Sequence, residues 1–131
     1  MDVTNFNFFG TIIEESLADK AVFRRVKILS TKVEAVGERH KTPWLKQWTL
    51  RKVEILESDA EEIAKELSLA IEKTHQAWYA DFKNPTTHYI IYPNKIFKID
   101  RKSKEQYQEA KQYGMALGIP EYQLDFSSEI K

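Results

Sequence analysis

The sequence predicts an α+β domain built on an antiparallel β-sheet with helices on one face. Three observations lead to this class. Short runs rich in aromatic and β-branched residues recur along the chain, which is typical of strands. One segment, SDAEEIAKELSLAIEK, has the apolar spacing of an amphipathic helix. The chain of 131 residues, with 42% hydrophobic and 31% charged residues, has the composition of one folded domain, so we expect a single domain over residues 1–131.

The first strand is predicted over residues 5–14, NFNFFGTIIE, because this run is aromatic and β-branched and suits the interior of a sheet. The stretches 28–36 and 44–56 predict two further strands. Between these two lies the polar loop GERHKTP, which we expect to hold His40 in solvent.

The segment between the first two strands allows two interpretations. Ser16 followed by Asp19 resembles a helix N-cap pair, which favours a short helix from Leu17 to Val26. The β-branched residues instead favour one long strand that continues to Val36. The second interpretation turns the N-terminal half into a meander and leaves the α+β class unchanged.

Two further helices are predicted from their ends and their apolar spacing. The first begins at Ser58 and Asp59, and the acids in its first turn favour the helix dipole. The second begins at Ser103, and Gly118 and Pro120 end it. The tail IPEYQLDF is so apolar that we expect it to pack on the body of the protein.

The stretch from Trp78 to Asp100 has the highest density of aromatic residues and is our candidate for both core and site. It predicts strands over 78–83, 88–92 and 95–99, separated by Asn-Pro and Pro-Asn turns, and the last two form a predicted hairpin. The first six elements of the chain follow the order β-α-β-β-α-β. This order predicts a ferredoxin-like (split βαβ) core, followed by a C-terminal β-hairpin and a helix.

Several parts of the sequence carry a resemblance: KTPWLKQWTL, AWYADFKN followed by HYIIYPNKIFKIDR, and YGMALGIPEYQLDF. They resemble stretches shared by a group of small uncharacterised prokaryotic proteins, and the resemblance runs over most of the chain. No activity is attached to that group, so the resemblance implies no role for any residue.

Charge and composition exclude several classes of protein. The 20 basic and 20 acidic residues cancel, whereas a dedicated nucleic-acid binder is usually basic, so nucleic acid is not favoured as a partner. The chain has no cysteine, which excludes disulfides and thiol chemistry and fits a reducing compartment. Because no apolar run reaches the length of a membrane span and the N-terminus lacks a signal-peptide pattern, we expect a cytoplasmic protein with no membrane partner.

The candidate pocket consists of four residues from the aromatic stretch: Tyr79, Asp81, His88 and Asp100. Buried carboxylates near an imidazole have shifted pKa values that suit acid–base chemistry. Asp81 and the later triplet Asp100-Arg101-Lys102 also follow the order of a nuclease motif, in which two carboxylates hold a divalent ion beside a lysine. Ala80 replaces the usual proline of that motif, and alternation makes the triplet part of an ordinary solvated strand face.

The histidines His40, His75 and His88 lack the spacing of metal ligands and are expected at the surface or in turns. A metal site formed by His75, His88 and Asp81 is the alternative. The sequence contains no Gly-rich phosphate loop and no Gly-x-Ser-x-Gly elbow. We therefore predict no metal, no other cofactor and no assigned catalytic residue.

The candidate interface is an uncovered sheet face with Trp44, Trp48 and Tyr89 as anchors, buried in a homodimer or against a partner protein. Aromatic residues interleaved with Lys and Arg also stack unpaired bases, although packing in a core is the commoner use of aromatics in strands. We expect a non-enzymatic binding or assembly module from these features. The alternatives are a small hydrolase or metal-dependent enzyme around Asp81, His88 and Asp100, and a single-stranded nucleic-acid binder.

Overall fold

The structure, a computed structural model, describes residues 6–38, 42–75 and 78–124, so His40 lies outside the described residues. It confirms the α+β class, with six strands and two α-helices in the described part of the chain. The strands are β1 (Phe8–Ile13), β2 (Lys27–Ala35), β3 (Gln47–Ile55), β4 (Ala80–Lys83), β5 (Thr87–Tyr92) and β6 (Lys95–Asp100), and the helices are α1 (Ala60–Ala70) and α2 (Lys104–Ala116).

The sheet has the strand order β2-β3-β1-β4-β5-β6, and every neighbouring pair is antiparallel. β1 lies inside the sheet, as its composition predicted, and β2 and β6 form the edges. Gly10 of β1 lies opposite Phe82, and a Cβ atom at Gly10 would be 2.2 Å from the backbone oxygen of Asp81. Only a glycine lets β1 and β4 approach this closely.

The two helices cover opposite faces of the sheet, so the prediction that they share one face is wrong. In β5, Tyr89 and Ile91 belong to the hydrophobic core that includes α1, whereas Ile90 and Tyr92 belong to the core that includes α2. Successive side chains of a strand point to opposite faces. Because every residue from His88 to Tyr92 is buried, β5 needs cover on both sides.

The first core lies between α1 and the strands β1, β3, β4 and β5. Ile63 and Leu67 of α1 are fully buried there. The rings of Phe8, Phe82 and Tyr89 meet edge to face or tilted, with centroids 5.1 to 5.4 Å apart. These aromatic side chains therefore serve the core.

The second core lies on the other face, between α2 and the strands β5 and β6. Ile119 and Leu124 of the C-terminal segment are buried in it beside Ala110 of α2. The prediction that the tail packs on the body is thus confirmed up to Leu124. Residues 125–131 lie outside the described residues.

The predicted helix from Leu17 to Val26 is wrong: this segment contains two short 3₁₀ turns, Glu14–Ser16 and Ala21–Arg24. Ser16 donates its hydroxyl hydrogen bond to the Ile13 carbonyl, and Asp19 accepts from the N–H of Ala21 only two residues later. Such local bonds compete with a helix for the same backbone. The helices predicted after Ser58 and Ser103 are confirmed, and the Ser103 hydroxyl caps α2 by accepting from the Gln106 N–H.

None of the helices within the described residues is long and apolar enough to cross a membrane.

Candidate functional site

The sheet face that carries α2 is covered over only part of its width. The second core uses β5 and β6 and includes no residue of β1 or β3. Phe9 of β1 is 42% exposed on this side, and Thr11 beside it is also exposed. The exposed part of this face borders the C-terminal segment, where Thr11 and Gln123 line one cavity.

This cavity between the sheet and the C-terminal segment has a volume of about 260 Å³. We call it the Asp81 cavity. Its lining residues come from β1, β3, β4, the segment before β4 and the C-terminal segment: Thr11, Ile13, Trp48, Leu50, Trp78, Tyr79, Asp81 and Gln123. The lining combines aromatic and aliphatic groups with few polar ones. Asp81 is the one carboxylate among these lining residues.

Asp81 reaches the cavity because it occupies the middle of β4 and points away from the first core. Its neighbours Ala80 and Phe82 are buried on the α1 side, so alternation turns Asp81 to the α2 side. Its side chain is 34% exposed, and Oδ2 lies 2.7 Å from Nε2 of His88. One carboxylate oxygen is thus held by the protein while the group still faces the cavity.

His88 is buried behind Asp81, with only 1% of its side chain exposed. Its second ring nitrogen, Nδ1, lies 3.0 Å from the hydroxyl oxygen of Tyr107 on α2. A neutral imidazole satisfies both contacts when Nε2–H donates to Asp81 and Nδ1 accepts from the Tyr107 hydroxyl.

Tyr107 connects His88 to a buried arginine. Burial raises the pKa of the Tyr107 hydroxyl above its ordinary value, although a hydrogen bond and the positive charge of Arg101 act in the opposite direction. Arg101 is buried and also donates from Nη1 to the Asn84 carbonyl, at 2.8 Å. A chain of hydrogen bonds therefore runs from Arg101 through Tyr107 and His88 to the carboxylate of Asp81.

Of the four predicted pocket residues, the structure brings three to one face. Tyr79 lines the Asp81 cavity and donates its hydroxyl to the Gln123 carbonyl at 2.5 Å, which fixes the C-terminal segment as one wall. Asp100 does not join this group. In β6, Ile99 lies opposite His88 and is buried in the second core. Asp100 is the next residue and pairs with Thr87. Because successive side chains alternate, Asp100 points to the face that carries the first core.

Asp100 instead lines a shallow depression of about 510 Å³, which includes Thr87 and Lys98. Its Oδ1 atom accepts a hydrogen bond from the backbone N–H of Lys102, so the carboxylate shapes the turn before α2. The pairing of Asp81 with the Asp100-Arg101-Lys102 triplet that a nuclease would need is not present in this arrangement.

The three predicted interface anchors do not share a surface. Tyr89 is buried in the first core, and the indole N–H of Trp48 donates to the Thr42 hydroxyl at 2.9 Å. Trp44 is 41% exposed, and its ring stacks on His75 at 3.7 Å between centroids.

His75 and His88 belong to separate clusters. His75 Nδ1 lies 2.6 Å from Glu72 Oε2, which also accepts from the indole N–H of Trp78 at 3.0 Å. Within residues 6–38, 42–75 and 78–124, no three His, Asp or Glu side chains come together as ligands for a metal ion.

The sequence reasoning missed Tyr107 and Arg101. Tyr107 lies 19 residues after His88 on a different element, and no local pattern indicates that contact. The continuous apolar run YIIY directly after His88 was the available signal, because a histidine at the start of a buried strand needs partners for both nitrogens.

No protein-family model, no curated protein and no solved structure matches this chain.

Proposed function

We propose that the protein is a binding module that holds a compact ligand with a cationic amino group in the Asp81 cavity. The observation that supports this most directly is the Asp81 carboxylate, fixed by His88 and exposed to a cavity whose other walls are mainly aromatic and aliphatic. A ligand site typically combines such apolar walls with a few polar groups that fix orientation.

The charge of Asp81 favours a cationic group on the ligand. A charge-assisted hydrogen bond contributes about 1.5–3 kcal/mol when it replaces contacts with water, which is a factor of roughly 10–100 in affinity. His88 supports the carboxylate from behind, so Asp81 keeps its orientation when the ligand is absent. The cation therefore meets a carboxylate that is already in place.

The aromatic walls favour the same ligand chemistry. Trp48, Trp78 and Tyr79 line the cavity, and the face of an aromatic ring attracts a cation through its quadrupole. The volume of about 260 Å³ lies just below the range of roughly 300–1,000 Å³ typical of ligand pockets. Both features fit an amine on a small apolar body.

Tryptophan fluorescence provides the test, because two of the three tryptophans line the cavity. Cyclohexylammonium and cyclohexanol have nearly the same shape and differ in charge. We expect a saturable fluorescence change with cyclohexylammonium and binding of cyclohexanol that is roughly 10–100-fold weaker. Equal affinities for the two compounds, or no saturable response to the cation, would contradict the proposal.

Two substitutions complete this experiment. Asp81→Asn keeps the shape of the side chain and removes the charge, so it should abolish the preference for the cation. Glu61→Gln removes one negative charge from the exposed surface of α1, on the opposite face of the sheet, and should leave binding unchanged.

We also propose that β1 to β4 form a ferredoxin-like (split βαβ) core. The order β2-β3-β1-β4 and its antiparallel pairings support this, because they make β1 parallel to β2 across β3, and β3 parallel to β4 across β1. Two 3₁₀ turns take the place of the first helix. An experimental structure with a different order of these four strands would refute this relationship.

A further inference from the structure

The outer edge of β2 has the features of a strand that pairs with a second strand. β2 ends the sheet, is nine residues long and is exposed over almost its whole length. In the part of the chain that the structure describes, no strand pairs with its outer side. Such an edge is a template for pairing with another chain.

The direction of the backbone groups along β2 can be read from its pairing with β3. The N–H of Val36 donates to the carbonyl of Lys46 at 3.0 Å, so Val36 points its backbone groups towards β3. Backbone groups alternate in an antiparallel pair. The N–H and C=O groups of Thr31, Val33 and Ala35 therefore point to the free edge.

We propose that this edge pairs antiparallel with the same edge of a second copy of the chain, with Val33 opposite its own symmetry mate. A two-fold axis at Val33 places Lys32 opposite Glu34 of the second copy, and Glu34 opposite Lys32. Thr31 and Ala35 then exchange backbone hydrogen bonds across the axis. The interface is the same patch on both copies, as a two-fold dimer requires.

Charge complementarity selects this register. Two other residues of β2 have outward backbone groups. A centre at Thr31 would place Glu34 opposite Ile28 and Lys32 opposite Ser30, with no charge pair. A centre at Ala35 would place Glu34 opposite Val36 and Lys32 opposite Glu38, which lies beyond the end of β2. Opposite charges directly across two strands stabilise a sheet, by roughly 0.2–1 kcal/mol each. Within one chain, Lys32 Nζ lies 3.9 Å from Glu34 Oε2, on the same face of β2.

Burial of Val33 adds an apolar contribution. Its side chain is 56% exposed in one chain and would meet its symmetry mate on the face opposite the charge pairs. The irregular pairing between Ile28 and Ser30 ends the regular segment on one side, which confines the contact to a short stretch. Because only β2 of each copy takes part in the contact, the interface is small, and we expect a dimer that dissociates on dilution.

Sedimentation velocity over a range of protein concentrations tests this register. We expect reversible dimerisation of the wild type, and weakening of about tenfold for Lys32→Glu or Glu34→Lys, because each change turns two attractive pairs into repulsive ones. The double substitution Lys32→Glu/Glu34→Lys restores opposite charges in this register alone and should restore the dimer. Lys104→Glu, a similar charge change in the first turn of α2, is the control.

A wild type that stays monomeric at all concentrations would overturn the proposal. Single charge reversals without effect, or a double variant that remains as weak as the single ones, would overturn the register at Val33. Circular dichroism of each variant checks that it is folded, so that the differences in dimerisation are measured between folded proteins. This pairing does not involve the Asp81 cavity, so its outcome is independent of ligand binding.

Discussion

Gly10 is the residue that sets the distance between β1 and Asp81. A Cβ atom there would lie 2.2 Å from the Asp81 backbone oxygen and 2.8 Å from the Cα and Cβ atoms of Phe82. These neighbours are backbone atoms and the base of a side chain, which cannot move aside without shifting β4. Gly10 therefore contributes to the fold and to the position of the cavity wall at the same time.

We predict that Gly10→Ala lowers the free energy of unfolding by at least about 3 kcal/mol, because overpacking against a backbone displaces a whole strand. Urea unfolding measures this change. Gly37→Ala is the matched control, since a Cβ atom at Gly37 would have no neighbour within 4 Å. Equal stabilities for the two variants would contradict the close approach of β1 and β4.

Glu72 joins the end of α1 to the start of β4. Burial alone would raise the pKa of its carboxyl group, but hydrogen bonds from the His75 ring and backbone and from the Trp78 indole outweigh burial, and the pKa falls below its ordinary value of 4.5. A carboxyl group with a lower pKa in the folded state contributes stability above the unfolded value and loses it as the pH falls through the folded value.

We predict that Glu72→Gln lowers the free energy of unfolding by about 1–2 kcal/mol at pH 7. The difference from the wild type should shrink as the pH falls below 4.5, where the wild-type carboxyl group becomes protonated. Denaturant unfolding between pH 3 and pH 7 measures both effects. A difference that stays constant over this range would show that the charge of Glu72 is not what stabilises this cluster.

At the level of elements, α2 is held to the sheet by a close contact at Gly114. Tyr92 of β5 donates its hydroxyl to the Ala110 carbonyl at 2.7 Å, inside the second core. A Cβ atom at Gly114 would lie 2.6 Å from that hydroxyl oxygen and 2.9 Å from a methyl group of Leu124. The glycine thus makes room for the tyrosine and for the C-terminal segment.

Helix propensity and packing change the free energy of unfolding of Gly114→Ala in opposite directions. Alanine in a helix interior is favoured over glycine by about 1 kcal/mol. Overpacking against Tyr92 and Leu124 costs about 1–3 kcal/mol, and the displaced hydroxyl would lose its buried hydrogen bond. We therefore predict a net loss of stability in thermal unfolding, and a gain would contradict the contact between α2 and β5.

The elements that the sequence predicts well are those whose signals are local. A cap residue and acids in the first turn indicated α1, and Ser103 at the start with Gly118 and Pro120 at the end indicated α2. Both helices are present. The segment from Leu17 to Val26 failed because Ser16 and Asp19 use their side chains for local turns rather than as helix caps. Cap residues alone do not distinguish these two uses.

At the scale of the whole molecule, the sheet has a hydrophobic core on each face, and this arrangement decides which candidate residues meet. Alternation along the stretch that forms β6 was visible in the sequence, and it correctly separated Phe97 and Ile99 from Lys98 and Asp100. The register between strands was not readable, because it depends on turn geometry and long-range packing. Without the register, the sequence could not predict that Asp81 contacts His88, or that Asp100 points to the opposite face of the sheet from Asp81.

The charge of the Asp81 cavity is the central feature of the proposed function, and ¹⁵N–¹H NMR titration with cyclohexylammonium tests its location most directly. We predict saturable shifts of the backbone amides of Thr11, Asp81 and Gln123, which belong to three separate segments and meet only at this cavity. Shifts concentrated at Thr87, Asp100 and Lys102, in the depression before α2, would contradict the assignment. So would shifts that grow linearly with ligand concentration and never saturate.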